Sequence, residues 1–349
     1  MPAEKILKDW LAGEPVGSRT DSIRWLQKRL ARAVAKLPYD FETLESWEGF
    51  REKIRNELPQ LIGIPEIGPM GDCPARARFQ VGDEAICERL DIHMDDDYYL
   101  PAFVFSPLKK PVKPMPALLW NPGWPQTKWD PQCQAMAMRI VRHGFVVMFI
   151  DHAPFGETGS FTYEKRDDMT NLMGMGHLLG ISQLALRSAE TMRAGEYLRA
   201  RTDVSPDRVA LAGLCQGGQD TWLTAAIDTR FCAAAPFCSA STFAIHMSEM
   251  ASYFANADSS PFPLNILKLC DSDHLHACIA PRPLMVRANL PDQWWPVSGL
   301  DCIESFSQKI YRLYGCEDRL DVRAEVHEHN ITGPFLDALE QFLLRYVAE

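Results

Sequence analysis

The chain has 349 residues, of which 46% are hydrophobic and 23% are charged, and its formal net charge is −10. This length fits one large α/β domain with an extension, or two domains. Lysine and arginine are scattered in an acidic chain, which argues against nucleic acid as a partner because phosphate binding needs a concentrated basic face. No apolar run approaches the length needed to cross a bilayer, so we predict no membrane partner.

The N-terminal residues and the cysteines predict the compartment. Residues 1–10 lack the apolar core of a signal peptide. The ten cysteines include no Cys-x-x-Cys pair, and they are too few in a chain of this length to be a disulfide framework. We therefore expect a cytoplasmic protein with reduced thiols.

Residues 1–69 predict an N-terminal helical extension. Asp21 or Ser22 can cap a first helix, whose apolar residues recur at helical spacing over residues 23–37. A second amphipathic helix covers residues 44–58, and the Pro/Gly-rich stretch 64–71 ends the extension. The apolar stripes of both helices predict packing surface, either against the main domain or between the subunits of a homo-oligomer.

Residues 70–349 predict a mostly parallel sheet covered by helices, because strands and helices alternate after an antiparallel hairpin. The hairpin strands lie at 85–94 and 98–105, the later strands at 115–120, 145–150, 209–212, 232–236, 283–288 and 320–325, and the helices at 131–143, 184–201, 216–228, 300–315 and 334–348. Two connections, about 152–183 and 239–280, are far longer than such units need and predict active-site walls or lids. This order of elements resembles the α/β-hydrolase fold.

The stretch 208–218 reads Arg-Val-Ala-Leu-Ala-Gly-Leu-Cys-Gln-Gly-Gly and predicts a nucleophile elbow, a strained turn between a strand and a helix. Gly213 and Gly217 stand two residues before and after Cys215, where small residues prevent a clash of backbones. The N-terminus of the following helix favours both a thiolate and a developing oxyanion. We therefore interpret Cys215 as a catalytic nucleophile, and the alternative is a small buried core residue.

A cysteine nucleophile needs a base and usually a third group that orients this base. In the α/β-hydrolase fold, the chain order is nucleophile, acid, histidine. Asp292 follows the strand that ends at Ala288 and fits the acid, although an isolated Pro-Asp is more often a solvated turn. His329, between the last strand and the last helix, fits the base. His327 is its rival, and only distance from the final helix separates the two.

Backbone N–H groups are predicted to form the oxyanion hole. Gln216 directly follows the nucleophile and offers one donor. Pro122 has no N–H, so the second donor must be Gly123 or Trp124 in the loop after strand 115–120.

Four tryptophans are predicted to bind substrate, because their loops lie at the active-site end of the sheet and their rings offer large contact areas. They are Trp124, Trp129, Trp294 and Trp295. A purely structural role is the alternative for each of them. A binding site lined by these rings would suit a flat apolar acyl or lactone group, and it would also suit an acetylated sugar.

Two His-x-His pairs, His274/His276 and His327/His329, are candidate metal ligands. Each pair is predicted to lie in a loop, and no third ligand at metal-like spacing can be recognised. We therefore predict no metal and no other cofactor.

From about residue 116 to the C-terminus, the sequence resembles the dienelactone hydrolase and acetyl xylan esterase branch of the α/β-hydrolases. The resemblance rests on Gly213-Leu-Cys-Gln-Gly-Gly218, on Ile279-Ala-Pro-Arg-Pro-Leu284, on Asp292 and on the Ile310–Gly315 segment before His329. It implies that His329, not His327, is the catalytic histidine. The Gln-Gly-Gly sequence that follows Cys215 is similar to that of the acetyl esterases. A cysteine in place of serine at position 215 is similar to dienelactone hydrolase. The usual His-Gly pair of the oxyanion loop is replaced by Asn121-Pro122, which leaves the substrate open.

Taken together, these residues predict an enzyme that hydrolyses a small-molecule carboxylic ester or lactone through a thioester acyl-enzyme. Two alternatives stay open at this point. One is an acyltransferase or C–C bond hydrolase with the same triad, and the other is a non-catalytic scaffold or binding protein on the same fold.

Overall fold

The computed structural model describes residues 22–109, 112–159, 167–250, 262–292 and 294–348. The strands are β1 (Ala75–Val81), β2 (Ala85–Asp95), β3 (Tyr98–Pro107), β4 (Met115–Asn121), β5 (Val146–Ile150), β6 (Val204–Leu214), β7 (Ala234–Phe237), β8 (Leu284–Asn289) and β9 (Leu320–Glu325). They form one sheet in the order β1-β2-β3-β5-β4-β6-β7-β8-β9. The β1/β2, β2/β3 and β3/β5 pairs are antiparallel, and all other pairs are parallel. The predicted α/β-hydrolase fold is confirmed.

Ten α-helices lie in the described ranges. They are α1 (Ser22–Val34), α2 (Leu44–Ile62), α3 (Pro131–Val141), α4 (Asp167–Leu179), α5 (Gln183–Ala200), α6 (Gln216–Ile227), α7 (Phe243–Met250), α8 (Ser272–Ala277), α9 (Ser298–Leu313) and α10 (Gly333–Tyr346). None of the helices described for this chain has the length and apolarity required to cross a bilayer.

Strand β1 was not predicted, and it, not the hairpin, forms the edge of the sheet. All of its residues are exposed except the half-buried Val81, so the strand carries no alternating apolar pattern. Its backbone is held by pairing with β2, where Val81 lies opposite Ala85 and Phe79 opposite Cys87. A strand that depends on ladder hydrogen bonds alone leaves almost no signal in the hydrophobic pattern.

Helices cover both faces of the sheet. Along β4, Ala117 and Leu119 pack into one apolar cluster, while Leu118 and Trp120 pack into another. Successive side chains of a strand point to opposite faces, so the two clusters are the two sides of the sheet. Helices α2, α5 and α6 contribute to the first cluster, and α3 and α10 contribute to the second.

The two N-terminal helices pack differently. The stripe of α2 joins the main core, because Trp47, Ile54 and Leu58 are fully buried within the first cluster. Helix α1 buries Val34 but leaves Trp25 exposed by 57%, so its stripe is only partly covered by the described chain. A homo-oligomer formed through these helices stays a prediction.

Candidate active site

Cys215 lies on the sharp turn between β6 and α6. Its backbone has φ +57° and ψ −121°, a conformation that non-glycine residues rarely adopt. The Cys215 N–H donates to the carbonyl of Phe237 at 2.9 Å, which ties the turn to the end of β7. Strain of this kind persists only where the surroundings enforce it, and it clusters at functional positions.

The close approach of three backbone segments explains the glycines around Cys215. A Cβ atom on Gly213 would lie 2.3 Å from the carbonyl oxygen of Gly217. On Gly217, it would lie 2.0 Å from the carbonyl oxygen of Asn121, at the end of β4. Both distances are far below van der Waals contact, so side chains at these positions would push the elbow away from the loop after β4.

Asp292 and His329 meet beside this turn, although they come from different loops. The Asp292 Oδ2 lies 3.0 Å from the His329 Nδ1. The other oxygen, Oδ1, accepts from the backbone N–H groups of Trp294 at 2.7 Å and Trp295 at 3.0 Å. The Asp292 side chain is fully buried. It therefore has a fixed orientation and one remaining partner, the histidine ring.

His327 has a different partner. Its Nε2 lies 3.2 Å from a carboxylate oxygen of Glu325, and its ring packs edge-on against Phe335. Of the two candidate histidines, His329 contacts Asp292 and His327 does not. This geometry agrees with the choice that the family resemblance implies.

The Cys215 sulfur and the His329 ring are electrostatically coupled. Burial raises the pKa of the Cys215 thiol, but His329, the Trp295 side chain and the Gln216 N–H together hold that pKa below its usual value. Burial lowers the pKa of His329, but its hydrogen bond to Asp292 and its interaction with Cys215 raise that pKa to about 10. The lowered thiol pKa and the raised imidazole pKa both favour a thiolate beside an imidazolium, compared with the same two groups when they are apart.

The predicted oxyanion donors lie around the same sulfur. The Gln216 N–H interacts with it directly. A Cβ atom on Gly123 would lie 3.3 Å from the Cys215 Cβ, so the loop after β4 approaches Cys215 closely. The Gly123 N–H, however, donates to the Gln126 side-chain Oε1 at 3.1 Å. Gln126 was not predicted from the sequence, because a glutamine in a loop belongs to no recognisable motif.

The four predicted tryptophans are not equivalent. Trp124 lines the cavity at Cys215, and Trp295 is buried against the sulfur and the His246 ring. Trp294 is half-buried and donates its backbone N–H to Asp292. Trp129 packs on Phe103 and donates its indole N–H to Glu157 at 3.2 Å. Among the described residues, Trp124 is the one of the four tryptophans that lines the cavity.

A buried polar network lies behind the loop after β4, and sequence reasoning also missed it. Arg187 of α5 donates to Asp220 of α6 at 2.8 and 2.6 Å and to the carbonyl of Pro122 at 3.2 Å. His152 lies 2.7 Å from Glu190 and 3.1 Å from Asn121. Arg187 thereby connects the predicted oxyanion loop to the elbow helix.

Burial and neighbouring charge also fix protonation within this network. Burial and the charge of Arg187 lower the pKa of His152 to about 3, so its ring is neutral at physiological pH. Burial raises the pKa of Glu190 to about 7, although the hydrogen bond from Tyr98 opposes that rise. The network therefore contains the Arg187–Asp220 ion pair, a neutral His152 and a Glu190 that titrates near neutral pH.

The prediction that His274 and His276 lie in a loop is wrong. Both belong to α8, a six-residue helix that begins after the Asp271 cap. Both side chains are buried; His274 lies 2.8 Å from the carbonyl of Pro38, and His276 lies 2.7 Å from the carbonyl of Ser272. A helix of less than two turns is too short to show periodicity.

Within the described residues, one group of three potential metal-ligating side chains comes together, namely Cys238, Asp292 and His329. Two of its members are the predicted acid and base, which already contact each other.

The close approach at Gly217 leads to a stability prediction. Gly217→Ala should lower the free energy of unfolding by about 1–3 kcal/mol or more, because the added methyl group overlaps the Asn121 backbone. Gly49→Ala is the matched control, since a Cβ there meets nothing within 4 Å. In helix α2 the control should raise stability by about 0.5–1 kcal/mol. Urea unfolding measures both, and equal stabilities of the two variants would contradict the packing described here.

The coupling of Cys215 and His329 leads to a prediction on reactivity. Iodoacetamide should label Cys215 at neutral pH about tenfold or more faster than Cys133 or Cys302, and labelling should slow as pH falls through the lowered thiol pKa. Burial raises the pKa of Cys302 to about 12, so that thiol stays protonated. Labelling is read peptide by peptide against pH.

Asp292→Asn is the matched variant for this measurement. Loss of the carboxylate removes a group that raises the His329 pKa, so the imidazolium loses its proton at lower pH. The pKa of Cys215 should then rise toward that of an ordinary thiol, about 8.5. An unchanged labelling profile in this variant would show that Asp292 does not act on the pair.

Comparisons with known proteins agree with this fold. Residues 101–263, just under half of the chain, match the model of the dienelactone hydrolase family. A Bacillus subtilis (strain 168) protein named "Putative hydrolase YtaP" is 24% identical over 313 residues, which are 85% of this chain and 100% of that protein. The matched family segment contains Cys215 and ends before Asp292 and His329.

Two solved structures illustrate the likeness of fold. One is described as a "putative acetyl xylan esterase" from Bacteroides fragilis NCTC 9343, with a TM-score of 0.74 and 18% identity over 94% of this chain and 88% of that chain. The other is a glucuronoyl esterase from Solibacter usitatus, with a TM-score of 0.66 and 16% identity over 88% of this chain and 98% of that chain. Residues 101–263 are thus similar to the dienelactone hydrolase family, within a chain that has the α/β-hydrolase fold.

Proposed function

We propose that this chain hydrolyses a carboxylic ester or lactone, with Cys215 as nucleophile, His329 as acid and base, and Asp292 as the group that orients His329. The observation that carries the proposal is the strained turn at Cys215 beside the Asp292–His329 pair. The family match of residues 101–263 and the esterase names of structural neighbours support the same reaction class.

The first half-reaction starts from the thiolate. Cys215 attacks the carbonyl carbon of the ester, and the carbonyl oxygen becomes an oxyanion near the N–H groups of Gln216 and Gly123 or Trp124. When the tetrahedral intermediate collapses, the C–O bond breaks and the His329 imidazolium gives its proton to the departing alkoxide. The products are an alcohol and a thioester on Cys215.

The second half-reaction uses the neutral ring that remains. His329 takes a proton from water, and the resulting hydroxide attacks the thioester carbonyl. Collapse of the second intermediate releases the carboxylic acid and regenerates the thiolate beside the imidazolium. Asp292 holds the His329 Nδ1–H throughout, so that Nε2 stays directed toward the reacting atoms.

The cavity at Cys215 favours a substrate with hydrogen-bonding groups. Its volume is about 430 Å³, and its lining includes Gln126, Asp130, Gln132 and Asn330 beside Trp124. The carboxylate of Asp130 would repel an anionic substrate. We therefore infer that neutral hydroxylated esters, such as acetylated sugars, are preferred to a flat apolar lactone or a carboxylated one.

A substrate series tests this preference. Acetylated xylose and other neutral acetyl sugars should give a higher kcat/KM than aryl esters or anionic lactones. Asp130→Asn should reduce the discrimination against the anionic lactones, because the repelling charge is lost. Equal, very weak turnover of all three classes would argue against a shaped pocket.

The proposed mechanism predicts the behaviour of two Cys215 variants. Cys215→Ser should fold normally yet lose about a hundredfold or more in rate, because a hydroxyl of much higher pKa needs a stronger base than a site tuned for a thiolate provides. Cys215→Ala should lose all covalent turnover. Mass spectrometry of the protein mixed with an activated ester should detect an acyl adduct on Cys215.

Other outcomes would point elsewhere. No adduct on Cys215 from any activated ester would favour a non-catalytic scaffold. Ester hydrolysis by Cys215→Ala at the parent rate would show that Cys215 is not the nucleophile and that the proposed mechanism is wrong. Release of the adduct by an added alcohol or thiol much faster than by water would favour an acyltransferase.

The Gln126 contact yields a further prediction on the oxyanion site. Gln126→Glu should lower kcat by about tenfold or more, because a carboxylate binds the Gly123 N–H more strongly than an amide and repels a developing oxyanion. Gln126→Ala leaves this N–H for the substrate and should keep kcat within a few-fold of the parent enzyme. Steady-state kinetics with one ester compare the three proteins, and equal kcat for all of them would exclude Gly123 as a donor.

A further inference from the structure

Cys238 follows β7 as Cys215 follows β6, on neighbouring parallel strands. Leu214 and Phe237 are partners in the register, so the two cysteines occupy the next position on each strand. The hydrogen bond from the Cys215 N–H to the Phe237 carbonyl holds the two strand ends together. Adjacent strands lie about 4.8 Å apart, and disulfides join Cα atoms about 4.4–6.8 Å apart. The two strand ends that carry the cysteines therefore have a spacing that suits a disulfide.

Both cysteines are held in a left-handed backbone conformation. Cys238 has φ +50° and Cys215 has φ +57°. In the part of the chain that the structure describes, the other non-glycine residues with positive φ are Asp96 and Asn265. Aspartate and asparagine tolerate this region and cysteine does not share their advantage, so strain at two neighbouring cysteines indicates a function for both.

The two sulfurs share one histidine. The Cys238 Sγ, a ring nitrogen of His329 and a carboxylate oxygen of Asp292 lie within 4.8 Å of one another. His329 also interacts with the Cys215 sulfur. Cys215 is partly exposed in the cavity, whereas Cys238 is fully buried. A dissolved oxidant can therefore reach Cys215 and not Cys238.

We propose that Cys238 is a resolving cysteine, which converts oxidised Cys215 into a reversible Cys215–Cys238 disulfide. The oxidant is a peroxide. The Cys215 thiolate attacks the O–O bond of hydrogen peroxide and becomes a sulfenic acid, and the departing hydroxide takes the proton of the His329 imidazolium, so that water and a neutral ring result. Neutral His329 then takes the proton from the Cys238 thiol, and the Cys238 sulfur attacks the Cys215 sulfur. The hydroxyl group leaves with that proton as water.

The arrangement protects the reactive thiol from irreversible damage. Sulfenic acid that finds no partner is oxidised further to sulfinic and sulfonic acids, which thiols do not reverse. A disulfide at the cavity stops that sequence, and a small thiol can reduce it by attack on the exposed Cys215 sulfur. The proposal rests on the ionised thiol of the proposed function, and it does not require ester hydrolysis.

The test is peptide mass spectrometry after a graded hydrogen peroxide treatment, with free thiols blocked by iodoacetamide. In the parent protein, a non-reduced digest should contain the Cys215 and Cys238 peptides joined by a disulfide. Dithiothreitol should then restore most iodoacetamide labelling of Cys215. In Cys238→Ser, Cys215 should instead accumulate as sulfinic and sulfonic acid, with at least a several-fold loss of the label that dithiothreitol recovers.

Cys270→Ser is the matched control. Cys270 and Cys278 also interact with each other, but both are buried and burial raises both thiol pKa values. This variant should behave as the parent protein does. Circular dichroism checks that Cys238→Ser folds. The disulfide in the parent protein is detected without any variant, so this part of the test does not depend on the folding of Cys238→Ser.

The proposal is overturned if the parent protein forms no Cys215–Cys238 disulfide; its Cys215 would then be overoxidised as fast as in Cys238→Ser. Because the readout is a covalent mass, it is independent of esterase activity. An inactive protein that forms the disulfide would refute the proposed function alone, and an active protein that does not form it would refute this inference alone.

Discussion

The close approach of three backbone segments at the elbow is the constraint on which the site depends. The end of β4, the end of β6 and the start of α6 meet where a single methyl group on Gly217 would overlap the Asn121 carbonyl. This approach forces Cys215 into its left-handed conformation and directs its side chain into the cavity. The same approach brings the Gly123 loop beside the sulfur. The same packing arrangement therefore positions both the proposed nucleophile and the proposed oxyanion loop.

The buried charges around this point serve its geometry. Arg187 joins Pro122, in the loop after β4, to Asp220 of the elbow helix, with no solvent to screen the pair. Removal of one partner from a buried ion pair typically costs about 3–5 kcal/mol, because the other charge is left uncompensated. Such a cost makes the relative position of the loop and the helix hard to change. The loop after β4 is thereby held rigidly although it has no regular structure of its own.

Local patterns predicted much of the geometry of the candidate site. The elbow could be recognised because glycine spacing reflects a backbone requirement that acts over five residues. Asp292 and His329 could be located because parallel strands bring their carboxyl ends to one edge of the sheet, and chain order then determines which loops meet. Strand β1 could not be found, since its exposed residues lack an alternating pattern.

Contacts between distant segments were beyond sequence reasoning. The polar side chains of α5, such as Arg187 and Glu190, face partners on other elements that no local pattern predicts. Gln126 is similar, because its role arises only when the loop folds back on Gly123. The helix that contains His274 is too short to show periodicity. In each case the information lies in the tertiary arrangement.

The hydrogen bond between the Gln126 amide and the Gly123 N–H determines whether this N–H stabilises the bound ester or the transition state. With Gly123 as an oxyanion donor, an ester carbonyl must replace the Gln126 carbonyl before it gains a hydrogen bond of its own. One neutral acceptor then exchanges for another, so ground-state affinity changes little. An oxyanion forms a shorter, charge-assisted bond that the amide cannot match. The Gly123 N–H thus contributes mainly in the transition state. Stabilisation of the transition state raises kcat and leaves the affinity for the unreacted ester unchanged.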